Sequence, residues 1–501
     1  MSLPLWIALG AALFSVFPLT DTDIWWHLSC AREGVSSPID LLMWTPSKIP
    51  WLNIHAYFQN TVYFIFNRGA APFLVAFKAF LWGIVFFLFL YPFRKEIKNA
   101  SPFQIALAFI LLFIFRFHFE IRPVLYSLLY LGVYWNFLHY YKENPLKLKV
   151  MIFFLLILWI QFIWNKTQGL FLLGPLLFMS FTPSLNRKKK GILYVFITLL
   201  FLTPFLHQET FSLFFYPFAL VDRLLGISSS AFVFSKMIVE NRSPFYLLWE
   251  DFNFSRGIFT LIAIIILSFL CLQLFNLFKK EKKKSLNFHK LLASPFSLWF
   301  FFCFVLSCLA ERNIVLFLPI LIPLILRIHL KEYLFSLKIK KIYEAKILDK
   351  YPIPPIIFSM LIAFLVGFWI QSLQHYDVSM ISKERVPVNA VQWMKENPHS
   401  KNLLNDDRAG GYISWALEKE KTFIDGRFIL KSESFFRRYL AYTQNPELFA
   451  LDASVFSIDR VVLPIQYDTK WSTLIRYLLS SPDWTLVYKD DFFVIFDDLN
   501  I

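Results

Sequence analysis

The sequence is poor in glycine, in cysteine and in charged residues. Of its 501 residues, 14 are glycine and four are cysteine, and 17% are Asp, Glu, Lys or Arg. So little glycine in so apolar a chain excludes collagen-like repeats and disorder. The cysteines lie far apart, so they predict neither a disulfide framework nor a zinc site. The C-terminal part contains no G-x-G-x-x-G or Walker loop, so nucleotide binding has no support there.

Apolar and aromatic residues are abundant instead. The chain is 57% hydrophobic and 20% aromatic, its mean hydropathy is +0.53, and its formal net charge is +15. Soluble globular domains do not combine such hydropathy with such a charge. An ordinary soluble enzyme is therefore excluded, and we expect much of the apolar surface to face lipid or other helices.

Apolar runs of the length needed to cross a hydrocarbon core, about 20 residues, recur through the first three quarters of the chain. There are eleven, near residues 3–19, 72–92, 102–118, 122–141, 150–164, 168–183, 191–206, 257–278, 292–310, 313–328 and 353–372. The first lacks a positive n-region and a small-residue cleavage site, so we interpret it as a retained span and not as a signal peptide.

The basic residues cluster in every second loop between these runs. Loops 93–101, 142–149, 184–190, 279–290 and 327–350 hold 23 Lys or Arg and six acids, a net charge of +17 that leaves −2 for the rest of the chain. The positive-inside rule then predicts an inner-membrane protein with its N-terminus in the cytoplasm and its C-terminal part outside. The basic residues therefore do not indicate nucleic-acid binding, although some of them could contact anionic membrane lipids.

The predicted architecture is a transmembrane domain over residues 1–372, with outer loops at 20–71 and 207–256, and an extracytoplasmic α/β domain over 375–501. The latter has a mixed composition of 15 basic and 18 acidic residues. Its pattern predicts helices near 389–395, 432–443 and 471–479. It also predicts a turn at Gly410-Gly411 and strands near 402–405, 423–424, 460–463, 484–488 and 492–496. We expect a largely parallel sheet.

The first outer loop opens with an unusual polar run immediately after the first span. Asp21 and Asp23 are two carboxylates at a membrane surface, which is costly unless they are solvated or used. His27 lies four residues after Asp23, so on a helix the two share a face. Asp21, Asp23 and His27 are the candidate catalytic residues. Alternatively, Thr20 or Asp21 caps a short interfacial helix whose tryptophans belong to an aromatic belt.

Further polar residues lie at the outer ends of other spans. They are Arg122, Asn165, Lys166, Gln168 and Arg312, and we predict that they line a common substrate cavity. Taken singly, an arginine at the end of a span is more often a snorkelling anchor. An acid, arginines and access to lipid together suit the transfer of a sugar from a polyprenyl-phosphate donor. Mg²⁺ or Mn²⁺ held by Asp21 or Asp23 could help to bind the phosphate.

The same residues resemble a known family. Asp21 to Leu28, with Pro38-Ile39-Asp40 and Trp51 to His55, is similar to the first outer loop of bacterial C-type (GT-C) glycosyltransferase-like membrane proteins. These are relatives of protein O-mannosyltransferases and of aminoarabinose and oligosaccharyl transferases. The resemblance continues through Arg122-Pro123, Trp164-Asn165, Gln168-Gly169, Arg312-Asn313, Gly410-Gly411-Tyr412 and Ile424-Asp425-Gly426-Arg427.

The resemblance implies a GT-C fold, a catalytic aspartate at Asp21 or Asp23, and a lipid-phosphate sugar as donor. It also places Asp40 and His55 among the substrate-binding residues. Two positions depart from the pattern, since His55 is followed by Ala56 in place of an acid, and Gln168 stands where a histidine precedes the glycine. These departures indicate either a changed acceptor or a lost activity.

The leading hypothesis is a glycosyltransferase that acts on a glycan, lipid or protein of the cell envelope. A transporter or lipid flippase is the first alternative. The one-sided placement of charge and the lack of paired broken helices speak against it. A non-catalytic scaffold with the GT-C fold is the second alternative, and the residues at positions 56 and 168 support it.

Overall fold

The structure is a computed structural model. It describes residues 2–34, 42–47, 51–144, 148–278, 294–327, 355–466 and 469–499. The chain divides into two compact units. The first, called here the helical unit, comprises Met1–Phe17, Ala76–Phe119 and Val124–Tyr376. The second, called the mixed unit, comprises Pro18–Val75, Glu120–Pro123 and Asp377–Ile501.

A helix coincides with each of the eleven predicted apolar runs, because these segments are rich in good helix formers and large apolar side chains. These helices are α1 (Leu3–Phe14), α3 (Ala56–Leu90), α4 (Pro102–Ile114), α5 (Pro123–Glu143), α6 (Leu148–Asn165), α7 (Leu173–Phe181), α8 (Arg187–Leu202), α12 (Phe254–Phe278), α13 (Pro295–Leu309), α14 (Ile314–Arg327) and α15 (Pro355–Leu373). Between α8 and α12 lie α9 (Thr210–Leu225), α10 (Ser229–Met237) and α11 (Pro244–Glu250).

Five helical segments in the described residues are long and apolar enough to cross a membrane. They are Ala56–Phe93, Leu148–Asn165, Arg187–Leu206, Phe254–Cys271 and Ile356–Leu373. Three further apolar helices, α1, α4 and α13, are shorter. Only a small share of Phe254–Cys271 and Ile356–Leu373 is buried, as lipid-facing helices require. The chain is a multi-pass membrane protein. The total of eleven spans stays a prediction. The basic loop 279–290 and residues 328–350 of the loop 327–350 lie outside the described residues.

Two of the predicted runs differ in extent from the observed helices. The run predicted from residue 72 continues a helix that begins at Ala56, and the backbone is non-helical at Gly69 and Ala70. The run over 168–183 yields the nine-residue helix α7 only. There the chain turns at Gly169, where an added Cβ would lie 2.7 Å from Leu220 and 2.8 Å from Tyr216. This close packing needs a glycine, and the regular helix begins only at Leu173.

In its described residues, the mixed unit contains α2 (Asp23–Arg32) and, after Asp377, five α-helices and a four-stranded sheet. The helices are α16 (Val388–Glu396), α17 (Asp407–Ala416), α18 (Glu433–Ala441), α19 (Pro446–Val455) and α20 (Ser472–Ser480). The strands are β1 (Asn402–Asn405), β2 (Ile458–Pro464), β3 (Trp484–Lys489) and β4 (Phe493–Asp498). Every residue of β2 is buried, so the core of this unit lies along its central strand.

The prediction of a largely parallel sheet is wrong. The strand order is β1-β2-β4-β3, and only the β1–β2 pair is parallel, while β2–β4 and β3–β4 are antiparallel. Three residues, Asp490 to Phe492, join β3 to β4. A parallel pair needs a crossover connection of about a dozen residues or more, so this short link permits only a hairpin. The sheet is therefore mixed.

Two local predictions in this unit are also wrong. Gly410 and Gly411 lie inside α17 and not in a turn, and Phe423-Ile424 is not a strand, since only Thr422 forms an isolated bridge with Met43. Asp406 begins α17 as its N-cap, accepting the backbone N–H of Arg408. The glycines serve close packing: a Cβ on Gly410 would lie 2.0 Å from the carbonyl oxygen of Ile424.

Candidate active site

An ion pair joins the beginning of α2 to the residue that precedes α5. Arg122 Nη2 donates to Asp21 Oδ1 at 2.9 Å, and the Asp21 side chain is only 2% exposed. Beside this pair, the Thr20 hydroxyl donates to the carboxylate of Glu120. Asp21 also accepts the backbone N–H of Asp23 at 3.3 Å, which forms an Asx turn just before α2. Asp21 and Arg122, predicted as catalytic and substrate-binding residues, are thus brought together.

Asp23 is the first residue of α2, where the helix dipole favours a negative charge. It is half-buried, and Trp26 Nε1 donates to its Oδ1 at 3.1 Å. The backbone of Gly426 packs against the same oxygen, so closely that an added Cβ would lie 2.0 Å from it. Trp26 and Gly426 therefore fix the position of this carboxylate.

His27 follows on the same face of α2 and is buried. Its ring lies 3.6 Å from the ring of Trp26 and 5.3 Å from that of His55, centroid to centroid. Burial holds the pKa of His27 well below its usual value, and the positive charges of His55, Arg427 and Arg122 lower it further. His27 is therefore a neutral imidazole at neutral pH. His27 and His55, both predicted for the site, are neighbours.

Amide side chains hold the two histidines in place. Gln59 Nε2 lies 3.3 Å from His27 Nδ1, and Gln59 Oε1 accepts a hydrogen bond from Asn53 Nδ2 at 2.7 Å. Asn53 Oδ1 in turn accepts the backbone N–H of His55 at 3.1 Å. Both amides are buried. Such a connected network fixes the ring of His27 and the backbone at His55, because each buried polar group finds its partner only in one arrangement.

Arg427 adds a second guanidinium to this group. It forms a buried bidentate pair with Asp425, with Nη2 2.6 Å and Nε 3.0 Å from Oδ2. Its charge lies over the ring of Trp51 at 5.0 Å and over that of Trp26 at 5.7 Å. In the sequence, Arg427 ends the motif Ile424-Asp425-Gly426-Arg427, which belongs to the family resemblance. Its place beside Trp26 requires the fold, and the Asp-Gly-Arg motif was the only signal.

The remaining predicted residues lie in the helical unit, apart from Asp40, which is outside the described residues. Asn165 is buried, and its Nδ2 donates to Thr203 Oγ1 at 2.9 Å. Lys166 forms an ion pair with Glu209 at 2.6 Å. Gln168 follows in the turn after α6, and its backbone N–H bonds to the carbonyl of Trp164. Their roles in substrate binding stay predictions.

Arg312 also lies in the helical unit. It is exposed in the 3₁₀ turn Glu311–Asn313, next to Glu311, which binds Arg256 through two hydrogen bonds of 2.7 and 3.0 Å. This acid–base pair ties the turn to the beginning of α12. The role of Arg312 in substrate binding stays a prediction.

Asp21 and Asp23, predicted as ligands of a divalent cation, are engaged by other side chains. Within the part of the chain that the structure describes, no group of three or more His, Cys, Asp or Glu side chains could hold a metal ion. Asp21 binds Arg122, and Asp23 accepts a bond from an indole N–H. Mg²⁺ or Mn²⁺ at these carboxylates therefore stays a prediction.

Comparisons with known proteins connect this geometry to a fold. No family model and no curated protein matches the sequence. Among solved structures, the archaeal oligosaccharyltransferase AglB from Archaeoglobus fulgidus, in complex with an inhibitory peptide and a dolichol-phosphate, is 12% identical. That match covers 95% of this chain and 70% of the other, with a TM-score of 0.52. The chain has a GT-C fold.

Other structures of the Archaeoglobus fulgidus oligosaccharyltransferase agree with this. The apo form is 11% identical over 92% of this chain and 70% of the other, with a TM-score of 0.55. A complex with Zn and sulfate is 13% identical over 93% of this chain and 68% of the other, with a TM-score of 0.53. The likeness extends over nearly the whole chain.

Proposed function

We propose that this protein is a membrane glycosyltransferase of the GT-C type. It transfers a sugar or glycan from a polyprenyl-phosphate-linked donor to an acceptor on the extracytoplasmic face of the inner membrane. The main observation in support is that α2, in a chain with the GT-C fold, presents Asp23 next to the Asp21–Arg122 pair and a neutral His27. The relation to O-mannosyl and aminoarabinose transferases is part of this proposal.

In the proposed reaction Asp23 is the general base. It is half-buried and so remains accessible, whereas Asp21 is fully buried and holds Arg122. Asp23 takes the proton of the acceptor, which attacks the anomeric carbon and inverts it while the bond to the lipid phosphate breaks. Arg122, whose side chain is 28% exposed, stabilises the negative charge on the leaving phosphate. No step passes through a metal ion.

The solved relatives suggest the substrate classes. One structure of the archaeal enzyme holds a dolichol-phosphate and an inhibitory peptide, and another is tethered to an acceptor peptide containing the NVT sequon. We infer a lipid-phosphate donor for this chain as well, and a protein, lipid or glycan of the cell envelope as the acceptor. The half-buried His55 orients the acceptor beside Asp23, and the buried ring of His27 packs against the ring of His55.

The test is the substitution Asp23→Asn, which keeps the shape and removes the base. Membranes from cells that lack the native gene, supplied with radiolabelled polyprenyl-phosphate sugars, would report transfer to protein and to lipid. We expect a loss of at least a hundredfold in transfer rate, the usual contribution of a general base. Asp491→Asn, an exposed acid in the β3–β4 turn, is the matched control and should leave the rate unchanged.

Three outcomes would contradict the proposal. Sugar transfer at the wild-type rate in both Asp21→Asn and Asp23→Asn would show that neither aspartate is the general base. Absence of transfer by the wild-type protein, together with substrate-dependent uptake into proteoliposomes, would favour a transporter. Absence of both activities and of binding to a lipid-phosphate sugar would favour a scaffold.

A further inference from the structure

A concave site lies in the mixed unit, on the side of α2 that faces away from Asp23. Asp23, Trp26 and His27 share one face of this helix, while Trp25 and Arg32, seven residues apart, share the opposite face. Trp25 and Arg32 line an open pocket of about 430 Å³, which α17 and the part of α3 before its kink complete. Small-molecule sites have volumes of roughly 300 to 1,000 Å³.

Aromatic rings form the walls of this pocket. Phe66 and Tyr63 meet the ring of Trp415 edge to face, at centroid distances of 5.3 and 6.2 Å, and all three rings are partly exposed. Behind them, the buried rings of Trp25 and Tyr412 pack at 4.8 Å. Rings supported in this way are rigid. Their negative faces attract the weakly positive C–H groups of a flat ligand.

Polar groups stand beside the rings. Arg32 donates to the carbonyl oxygens of Trp415 and Ser414 at 2.7 and 3.0 Å, and its guanidinium lies 5.1 Å from the Trp415 ring. Asn67 adds an exposed amide, and Lys395 and Glu418 lie at the rim. Amide, ammonium and carboxylate groups together can donate to and accept from hydroxyl groups. A purely apolar ligand would leave these groups without a function.

We propose that this pocket binds a sugar unit of one of the two substrates. A pyranose ring offers an apolar face of C–H groups to the aromatic rings and an edge of hydroxyl groups to Asn67, Lys395 and Glu418. The diameter of α2, about 10 Å, separates the pocket from Asp23, so the bound unit is one that does not react. The choice of a sugar as ligand rests on the proposed function.

The binding test does not depend on transfer activity. Full-length protein in lipid nanodiscs, prepared without glycoside detergents, is mixed with mannotriose, maltotriose or triacetylchitotriose, and saturation-transfer NMR detects sugar protons that touch the protein. We expect contacts from ring C–H protons for at least one trisaccharide. Trp415→Ala should weaken that binding about tenfold, the equivalent of one aromatic contact. Trp249→Ala, a tryptophan that is 91% exposed, should leave it unchanged.

A second variant guards against misfolding of Trp415→Ala. Asn67→Ala changes an exposed side chain, and we expect it to weaken binding roughly fivefold through the loss of one hydrogen bond. The proposal is overturned if none of the three sugars shows a saturation-transfer NMR signal. It is also overturned if that signal is the same in the wild type and in both variants. If the wild type transfers sugar but shows no such contacts, only this proposal fails. If it shows the contacts but transfers no sugar, only the proposed function fails.

The source of the sugar is distinguished by kinetics. If the pocket binds a distal unit of the donor glycan, Trp415→Ala raises KM for the donor and leaves KM for the acceptor unchanged. If it binds a unit of a glycosylated acceptor, the reverse holds. Asp23→Asn lowers kcat and leaves trisaccharide binding as it is. Unchanged KM values for both substrates in Trp415→Ala reject a role for the pocket in substrate binding.

Discussion

Gly426 leaves no room for a side chain beside the proposed base. Its added Cβ would lie 2.0 Å from Asp23 Oδ1 and 3.2 Å from Trp26 Nε1. Because the carboxylate is the end of a side chain, it can move aside, so Gly426→Ala should displace Asp23 without unfolding the protein. We expect kcat for transfer to fall at least tenfold, since catalysis depends on sub-ångström placement. Radiolabelled sugar transfer at saturating donor measures this.

Gly191→Ala is the control for this prediction. Gly191 lies in α8, and a Cβ there would meet nothing within 4 Å, so transfer should be unaffected. A Gly426→Ala protein with wild-type kcat would show that the position of Asp23 is not critical, which would argue against Asp23 as the base.

His399 gives the mixed unit a dependence on pH. Its Nδ1 lies 2.6 Å from Asp459 and its Nε2 lies 3.1 Å from Glu420. Burial lowers the pKa of His399, but the bonds to the two carboxylates outweigh it and raise the pKa to about 9. The folded state therefore binds the proton more tightly than the unfolded state, whose histidine pKa is about 6.5.

The sign of the effect follows from proton linkage. The stabilisation by His399 is complete below about pH 6.5 and is lost as the pH rises toward 9. His399→Gln should therefore lower the unfolding temperature clearly at pH 6 and by much less at pH 9.5. Thermal unfolding at a series of pH values measures this, with the exposed His375→Gln as control. An equal shift at both pH values would contradict the assignment.

At the scale of elements, the packing of α17 against the segment that leads to Arg427 depends on glycine. Asn405 Nδ2 donates to the carbonyl oxygen of Ile424 at 2.7 Å, and Gly410 lies directly against that carbonyl. Backbone atoms cannot rotate away as a side chain can. Gly410→Ala should therefore destabilise the mixed unit by about 1–3 kcal/mol, the usual cost of overpacking.

Limited proteolysis and thermal unfolding in nanodiscs measure this loss. Gly257→Ala in α12 is the control, because its nearest neighbours would lie at 3.7 and 3.9 Å, an ordinary contact distance. An unchanged unfolding temperature in Gly410→Ala would mean that the backbone at Ile424 moves aside without loss of stability. The close approach would then not explain why glycine stands at this position.

At the scale of the whole molecule, the uneven distribution of charge predicts the orientation in the membrane. A variant without its four native cysteines, carrying a single new cysteine, tests this with a membrane-impermeant maleimide. Asp491→Cys should be labelled in intact spheroplasts, and Lys188→Cys only after permeabilisation, because positive loops stay in the cytoplasm. Labelling of Lys188→Cys in intact spheroplasts would reverse the predicted topology.

Much of the helical architecture could be predicted from the sequence. Long apolar runs determine helices by their composition alone, since in lipid the backbone must satisfy its own hydrogen bonds. The pairing of Asp23 with His27 on one face of α2 likewise follows from their spacing of four. Both features depend only on residues that are close together in the sequence, so they can be predicted without the fold.

The sheet could be predicted from the sequence only in part. Strands β1 to β4 fall where the pattern predicts them, yet their directions do not, because the alternation of helices and strands suggested a parallel sheet. The three-residue link between β3 and β4 was the local signal for a hairpin. Gly410-Gly411 was misleading as well, because glycine serves close approach of backbones as often as it serves turns.

The sequence by itself therefore determined the class of protein, the apolar helices and the residues able to take part in catalysis or binding. Only the tertiary structure decided which of them meet. Arg122 binds Asp21 across 101 positions, and Gly426 packs against Asp23 across some four hundred. The physical reason is that hydrophobic burial depends on composition and period, which the sequence displays, whereas an ion pair or a close backbone approach depends on where distant segments pack.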